Sequence, residues 1–186
     1  RFDRLHGTLP AFVLALDFQE CEHGTHVDLA RHVGLESPGD EAADLGAAHG
    51  AGLRDRAVAD AMARPAASMS PIVLTSWFMI APDAWDAQDA VLAGTGAPAT
   101  NAAGNFSSFW VRRADGAIEA EATEPENYQE DYYLRSLQSG KPALLEPYTD
   151  KVGDKQVLMT SITYPIVSGG KVIGVAGVDV ALVDLA

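Results

Sequence analysis

Two long β-type segments near the C-terminus, 156–166 and 171–180, constrain the fold of this chain more than any other feature. The Ser-Gly-Gly sequence at 168–170 separates them, and its glycines supply the positive φ that a tight hairpin requires. The segment 143–148 predicts one more strand, and 128–139 predicts a helix closed by a following glycine and proline. Adjacent antiparallel strands with a helix packed on one face predict an α+β domain.

Three further segments add to this predicted sheet. Residues 72–80 are apolar on both faces, which favours a central strand, and 106–113 predicts another strand. The Ala-Asp-Gly turn that follows allows 118–122 to pair back across it. The intervening connection, 81–105, is long, and a connection of about 25 residues in a compact domain usually has a function.

The region before the sheet, 1–69, is predicted to be a helical lead-in to a module that spans 70–186. The Ser-Pro-Gly-Asp sequence at 37–40 has the composition of a helix start. The helix is expected to run to Arg64, because Pro65 disfavours helical geometry at the residue before it. It is rich in Ala and Gly and only weakly amphipathic, so we expect it to lie beside the sheet or a neighbouring chain.

The composition excludes several classes of partner. The chain has 186 residues, a net charge of −13 and a pI near 4.6, whereas binding to nucleic acid needs Lys and Arg to neutralise phosphates. The same charge argues against anionic membrane surfaces. The longest apolar run, 72–82, is about half the length that spans a bilayer. Because the chain does not begin with Met, we expect it to be part of a longer protein.

Sequence motifs for catalysis are absent. There is no nucleophile motif, no His-Glu-x-x-His and no phosphate-binding loop, so we predict that the chain is not an enzyme and needs no cofactor. A metal sensor is an alternative, because side chains that suit zinc cluster near the N-terminus. They are Cys21, His23, His26 and His32, and their spacing matches no recognised zinc motif. The single cysteine excludes an internal disulfide.

Aromatic and acidic side chains gather in the C-terminal part of the chain and predict a binding site for a cation. Each aromatic face attracts a desolvated cation by about 0.5–2 kcal/mol, and a carboxylate adds to the attraction. The candidate ligand-binding residues are Trp110, Tyr128, Asp131, Tyr132, Tyr133, Tyr148, Asp150 and Asp179. Tyr132 and Tyr133 cannot both face the pocket if their helix is regular. Trp77 and Phe106 are expected to belong to the core instead.

A series of short motifs follows one order along 70–186. They are Ala81-Pro82-Asp83-Ala84-Trp85-Asp86, Gly104-Asn105-Phe106, Phe109-Trp110-Val111-Arg112, Glu146-Pro147-Tyr148, and the segments 157–166 and 169–180. In order and spacing they resemble the Cache (PDC) sensor domains. Members of that family lie outside the membrane in bacterial chemoreceptors, sensor histidine kinases and diguanylate cyclases.

The resemblance implies a PAS-like fold, in which a long N-terminal helix leads to a five-stranded antiparallel sheet with helices and loops over one face. It implies an extracytoplasmic domain that binds a small molecule and belongs to a membrane-anchored receptor. Such a domain passes a conformational signal across the membrane and works as a homodimer in the full receptor. In double-Cache receptors a second, smaller module follows this one, whereas a single-module sensor has none.

The resemblance also bears on the ligand. Amino-acid-binding members of the family carry Arg two residues before an aromatic pair, but this chain has Glu130 there, and a carboxylate repels an α-carboxylate. The Asp-aromatic-Tyr order at 131–133 is similar to amine-binding members, which favours a quaternary ammonium compound or a polyamine. An amino acid or organic acid remains the alternative, because Arg112, Arg113 or Arg135 could supply the missing positive charge.

Overall fold

The computed structural model describes residues 38–69, 73–152 and 155–182. Its helices are α1 (Pro38–Gly50), α2 (Arg56–Met69), α3 (Asp89–Leu92) and α4 (Asp131–Ser139), and a 3-10 helix spans Pro125–Gln129. Its strands are β1 (Val73–Ile80), β2 (Ser107–Arg112), β3 (Ile118–Glu121), β4 (Ala143–Leu144), β5 (Tyr148–Val152), β6 (Lys155–Ser168) and β7 (Lys171–Ala181). Residues 1–37, with the predicted metal ligands, lie outside the described residues.

One antiparallel sheet of seven strands organises the fold, in the order β3-β2-β1-β7-β6-β4, with β5 also paired to β6. The predicted α+β class is confirmed, and so are the predicted strands other than 143–148. The sheet exceeds the five strands that the resemblance implies. One reason is that the segment 143–148 forms parts of two short strands, with Pro147 between them. Proline cannot donate a ladder hydrogen bond, so it interrupts pairing with β6.

The two faces of the sheet are covered differently, and β1 shows the division. Phe78 and Ile80 pack in a large core beneath α1 and α2, with Leu45 among their neighbours. Trp77 and Met79 point to the other face, because successive side chains of a strand alternate. There they pack in a smaller core with residues of α4 and the 3-10 helix. Both faces of β1 are therefore apolar, as predicted for a central strand.

Residues 38–69 form two helices rather than the single one predicted. Helix α1 ends at Gly50, and Gly52 has a φ of +98°, which glycine adopts without steric cost. Asp55 then accepts the backbone N–H groups of residues 57 and 58 and caps α2. The predicted end at Arg64 is also wrong, because α2 continues through Pro65 to Met69. Proline there removes one backbone hydrogen bond without ending the helix.

A buried ion network ties α2 to the long connection 81–105. The Arg56 guanidinium binds the Asp86 carboxylate through two bonds of 2.8 Å and the Asp89 carboxylate at 2.7 Å. It also donates to the Gly104 carbonyl at 2.9 Å. Hydrogen bonding from Arg56 lowers the pKa of Asp86. The connection is thus held against the helices, on the side of the sheet that carries the larger core.

Candidate functional site

A cavity of about 360 Å³ opens on the α4 face of the sheet. Its lining combines four aromatic rings, four carboxylates, two methionines and one lysine. These residues are Trp77, Phe109, Tyr132, Tyr148, Glu121, Glu124, Asp150, Asp179, Met79, Met159 and Lys151, and Asn127 also contributes. The cavity therefore offers apolar surface together with an excess of negative charge.

Asp179 on β7 is the most buried of the four carboxylates, with 4% of the residue exposed. The sheet register sets its surroundings, because Thr75 on β1 and Ser161 on β6 both lie directly opposite it. The Ser161 hydroxyl donates to Asp179 at 2.6 Å, the Trp77 indole N–H donates at 3.2 Å, and the Thr75 hydroxyl donates as well. Burial raises the pKa of Asp179, and these three hydrogen bonds oppose the increase.

Tyr148 on β5 extends this hydrogen-bonded group towards the mouth of the cavity. Its hydroxyl lies 2.6 Å from the Ser161 hydroxyl oxygen. Burial raises the pKa of Tyr148, and the negative charge of Asp179 raises it further. The contacts join β5, β6, β7 and β1 through side chains on one face of the sheet.

The aromatic wall of the cavity depends on close packing between rings. Tyr132 on α4 stacks on Tyr148 with ring centroids 6.2 Å apart and makes an edge contact with Trp77 at 5.3 Å. The Trp77 ring lies against Gly177, where an added Cβ would be 2.5 Å from the indole. Glycine at 177 therefore leaves room for the Trp77 ring in the position from which its N–H donates to Asp179.

Four of the eight predicted ligand-binding residues line this cavity: Tyr132, Tyr148, Asp150 and Asp179. Of the tyrosine pair in α4, Tyr132 is the one that faces the cavity. Tyr133 packs edge-to-face on Tyr128 with centroids 5.0 Å apart, and both belong to the smaller core. Burial raises the pKa of Tyr133 to about 12.

The other two predicted residues lie away from the cavity. Trp110 pairs with Ser76 on β1 and packs against the larger core, on the opposite face of the sheet. Asp131 is 64% exposed and forms an ion pair with Arg135 one helical turn away. It lines a neighbouring cavity of about 440 Å³ on the outer side of Tyr132. We therefore do not include Trp110 and Asp131 in the site around Asp179.

Three residues around Asp179 were not among the predicted ligand-binding residues. Trp77 is buried, as expected for core, but its indole N–H also donates to Asp179. Thr75 and Ser161 reach the same carboxylate from the two neighbouring strands. Alternation along β1 places Thr75 and Trp77 on one face, so the sequence contained part of this information. That Thr75 and Ser161 both lie opposite Asp179 follows only from the register between the strands.

The described residues show neither a metal site nor a membrane span. Among them there is no group of three His, Cys, Asp or Glu side chains that could hold a metal ion. In the same ranges, no helix combines the length and hydropathy needed to cross a bilayer. The four predicted metal ligands near the N-terminus lie outside the described residues, so the metal alternative stays a prediction.

The chain matches a protein family and is similar to a known chemotaxis protein. The family model for the methyl-accepting chemotaxis protein-like first PDC sensor domain matches residues 83–186, more than half of the chain. The chain is similar to the methyl-accepting chemotaxis protein TlpQ of Pseudomonas aeruginosa, with 35% identity over 133 residues. That alignment covers 66% of this chain and 19% of the relative.

Solved structures agree with this match. A protein described as methyl-accepting chemotaxis protein X superposes with a TM-score of 0.72 at 30% identity, covering 87% of this chain and 57% of that one. The periplasmic sensory domain of the Campylobacter jejuni chemoreceptor Tlp1 superposes with a TM-score of 0.65 at 12% identity, which shows likeness of fold. It covers 87% of this chain and 58% of that domain. The chain thus spans little more than half of these solved chains and about a fifth of the curated relative.

Proposed function

We propose that this chain, which belongs to the family of methyl-accepting chemotaxis protein-like first PDC sensor domains, binds a small cationic amine in the cavity around Asp179. The domain is the extracytoplasmic sensor part of a membrane receptor, as in the related periplasmic domains. The amine is the finer assignment and rests on the chemistry of the cavity. An amino acid or organic acid is the competing ligand class.

The observation that carries the proposal is a buried carboxylate next to stacked aromatic rings. Asp179 is buried at the base of a cavity whose wall includes Tyr132, Tyr148 and Trp77. A charge in such a place is costly unless it is paired, and its three hydrogen-bond donors are all neutral. A bound ammonium group would supply the missing opposite charge and contact the ring faces as well.

The positions of the arginines disfavour the competing ligand class. Arg135 pairs with Asp131, and Arg113 pairs with Glu119 and Glu121. Arg112 donates to the backbone carbonyl of residue 73. None of the three arginines is among the described residues that line the cavity. Among the described lining residues Lys151 is the cation, whereas there are four carboxylates, of which Glu121 pairs with Arg113. Three carboxylates thus remain against one lysine, so an anionic ligand would meet net repulsion.

A thermal-shift and calorimetric screen tests the ligand class. The purified 186-residue chain is screened against primary amines, polyamines, quaternary ammonium compounds, α-amino acids and organic acids. We expect amines to raise the Tm and the acids to leave it unchanged. Stabilisation by organic acids or α-amino acids without stabilisation by any amine rejects the proposal.

The variant Asp179→Asn tests the site itself. It removes the negative charge, and we expect the affinity for the stabilising amine to fall by about a hundredfold, since charged hydrogen bonds in buried sites contribute about 1.5–3 kcal/mol. Asp44→Asn makes the same chemical change at an exposed position on α1 and serves as the matched control. Equal affinity in both variants would place the pocket elsewhere.

The pH dependence of binding provides an independent check. Because burial raises the pKa of Asp179, its carboxyl group takes up a proton at a higher pH than an exposed aspartate does. A bound cation favours the ionised form, so binding should release protons and weaken as the pH falls. Calorimetry in buffers of different ionisation enthalpy measures the proton release. Proton uptake on binding would contradict a cation at Asp179.

The receptor that contains this domain is also part of the proposal. We infer that residues 1–69 form the lead-in and 70–186 the sensor module, and that the parent protein is membrane-anchored and dimeric. Ligand binding would then favour one arrangement of the module and its connections over another. The chain spans a small fraction of the curated relative, so the output activity belongs to other parts of such a protein.

A further inference from the structure

We propose that the ligand carries N–H groups on its cationic nitrogen, so that the site selects primary or secondary ammonium groups over quaternary ammonium. This inference rests on the proposed function, namely that the cavity around Asp179 binds an amine. It comes from the direction of each hydrogen bond at the base of the cavity. Those directions decide whether the protein offers donors or acceptors to the ligand.

A bound cation favours the ionised form of Asp179, and the ionised carboxylate then sets the direction of the whole group because it only accepts. Ser161 has a single hydroxyl hydrogen and donates it to Oδ1 of Asp179 at 2.6 Å. Tyr148 lies 2.6 Å from the Ser161 oxygen, and so its own hydroxyl hydrogen must point to Ser161. Thr75 and Trp77 donate to Oδ2 of Asp179. Every donor hydrogen in this group is therefore used within the protein.

What remains for a ligand is a pair of acceptors. Oδ2 of Asp179 already has two donors, whereas Oδ1 has one and keeps a second acceptor position. The Tyr148 hydroxyl oxygen has donated its hydrogen and also keeps acceptor capacity. An ammonium group with N–H bonds would satisfy both oxygens. A quaternary ammonium has no hydrogen to donate and would leave them unpaired, which a site built around hydrogen bonds penalises.

The aromatic rings are not arranged as an open cage. Quaternary ammonium ions are held by several ring faces that surround the charge at about 6 Å. Here one face of Tyr132 stacks on Tyr148 at a centroid distance of 6.2 Å, with the planes 19° apart. Tyr132 also meets the Trp77 ring at 5.3 Å in an edge contact. Tyr132 thus contacts both of the other rings instead of leaving three open faces around one point, and the acceptors are the more specific feature of the site.

Calorimetric titration with a matched pair of ligands tests the inference. The probes are n-butylammonium and n-butyltrimethylammonium, which share an alkyl chain and a charge, and in the second of which three methyl groups replace the three N–H hydrogens. Putrescine and its bis(trimethylammonium) analogue form a second pair. We expect the N–H form to bind at least about tenfold more tightly, the effect of one hydrogen bond to a charged group.

The outcomes separate this inference from the proposed function. Equal or tighter binding of the methylated forms overturns the inference and leaves the amine proposal standing. Failure of every amine to bind, with binding of an organic acid or amino acid, overturns both. A preference for the N–H form in both pairs supports both.

The variant Tyr148→Phe tests the acceptor directly, because it keeps the ring and removes the oxygen. We expect the affinity for n-butylammonium to fall about tenfold and that for n-butyltrimethylammonium to stay unchanged, so the selectivity ratio falls. Tyr164→Phe is the matched control. Its hydroxyl is buried without a partner among the described residues, and it packs in the larger core on the opposite face. An equal loss for both ligands in Tyr148→Phe would show that the hydroxyl acts on the site as a whole rather than on the N–H groups, and no loss for either ligand would show that only the ring matters. Either result would overturn the inference.

Discussion

Two carboxyl groups are buried on opposite faces of the same sheet, and their hydrogen-bond partners are adjacent residues of β1. Asp179 receives hydrogen bonds from Thr75 and Trp77, which point to the cavity face. Glu41 on α1 lies over the other face, where it meets the hydroxyl of Ser76 at 3.5 Å. Its second oxygen has no partner among the described residues. One carboxyl group is thus surrounded by donors, and the other is mainly surrounded by apolar packing.

The contrast shows how local donors decide what a buried acid can do. Burial raises the pKa of both groups, because water no longer stabilises the charge. For Glu41 only one weak hydrogen bond opposes this effect, and its pKa reaches about 8. With a pKa of about 8, Glu41 is mostly protonated at neutral pH, and it packs between helix and sheet. Asp179 has three donors that favour the ionised form, which suits it to receive a cation.

The largest expected effect on stability comes from removing the guanidinium of Arg56, which pairs with the carboxylates of Asp86 and Asp89. Arg56→Met leaves Asp86 and Asp89 buried without their guanidinium partner, and we expect a loss of about 3–5 kcal/mol in the free energy of unfolding. Urea denaturation measures it. Arg54→Met is the control, because Arg54 is exposed and donates only to backbone carbonyls. Similar losses in both variants would mean that the ion network is not what stabilises the connection.

The next effect concerns the pH dependence of stability. The pKa of Glu41 is about 8 in the folded protein against an ordinary 4.5, so the folded state holds a proton that the unfolded chain releases. The stability that this bound proton contributes is fully present below the pKa of Glu41 in the unfolded chain and is lost as the pH rises through about 8. Relative to Glu41→Gln, the wild type should lose about 3 kcal/mol between pH ~5 and ~8, at about 1.4 kcal/mol for each pKa unit.

Urea midpoints measured for both proteins across that range check this expectation. The amine affinity of Glu41→Gln should match that of the wild type, in contrast to Asp179→Asn. Parallel stability curves for wild type and Glu41→Gln would contradict the assignment of a neutral buried carboxyl group to position 41.

The smallest expected effects come from adding one methyl group to each face of the sheet. Gly177→Ala forces the Trp77 ring away from Asp179, and Gly46→Ala forces α1 away from the Val167 carbonyl, which an added Cβ would approach to 2.2 Å. Both should cost about 1–3 kcal/mol of stability, as overpacking does. Only Gly177→Ala should also weaken amine binding. Equal affinity in the two variants, measured by calorimetry, would show that the position of Trp77 does not matter for the ligand.

Much of the fold could be predicted from the sequence, because local patterns dominate in its strands. The two β-type segments and the Gly-Gly turn between them predicted the β6–β7 hairpin, and the apolar run predicted β1 as a central strand. The resemblance to Cache (PDC) sensor domains is confirmed by the family match. The break between α1 and α2 was missed, since glycines at 50 and 52 are tolerated in helices and end them only where packing favours it.

The sequence by itself determined the family, the order of the main strands along the chain and the alternation of side chains between the two faces of β1. It did not determine the face of every residue, because Trp110 was predicted for the cavity and lies on the opposite face. Only the tertiary structure decided which residues meet at Asp179. Its partner Thr75 is 104 positions away and Ser161 is 18 positions away, and they meet through the register of β1 and β6 on β7. Packing of α4 likewise decided that Tyr132 rather than Tyr133 faces the cavity. Such contacts depend on how distant elements pack together, which short-range sequence patterns do not specify.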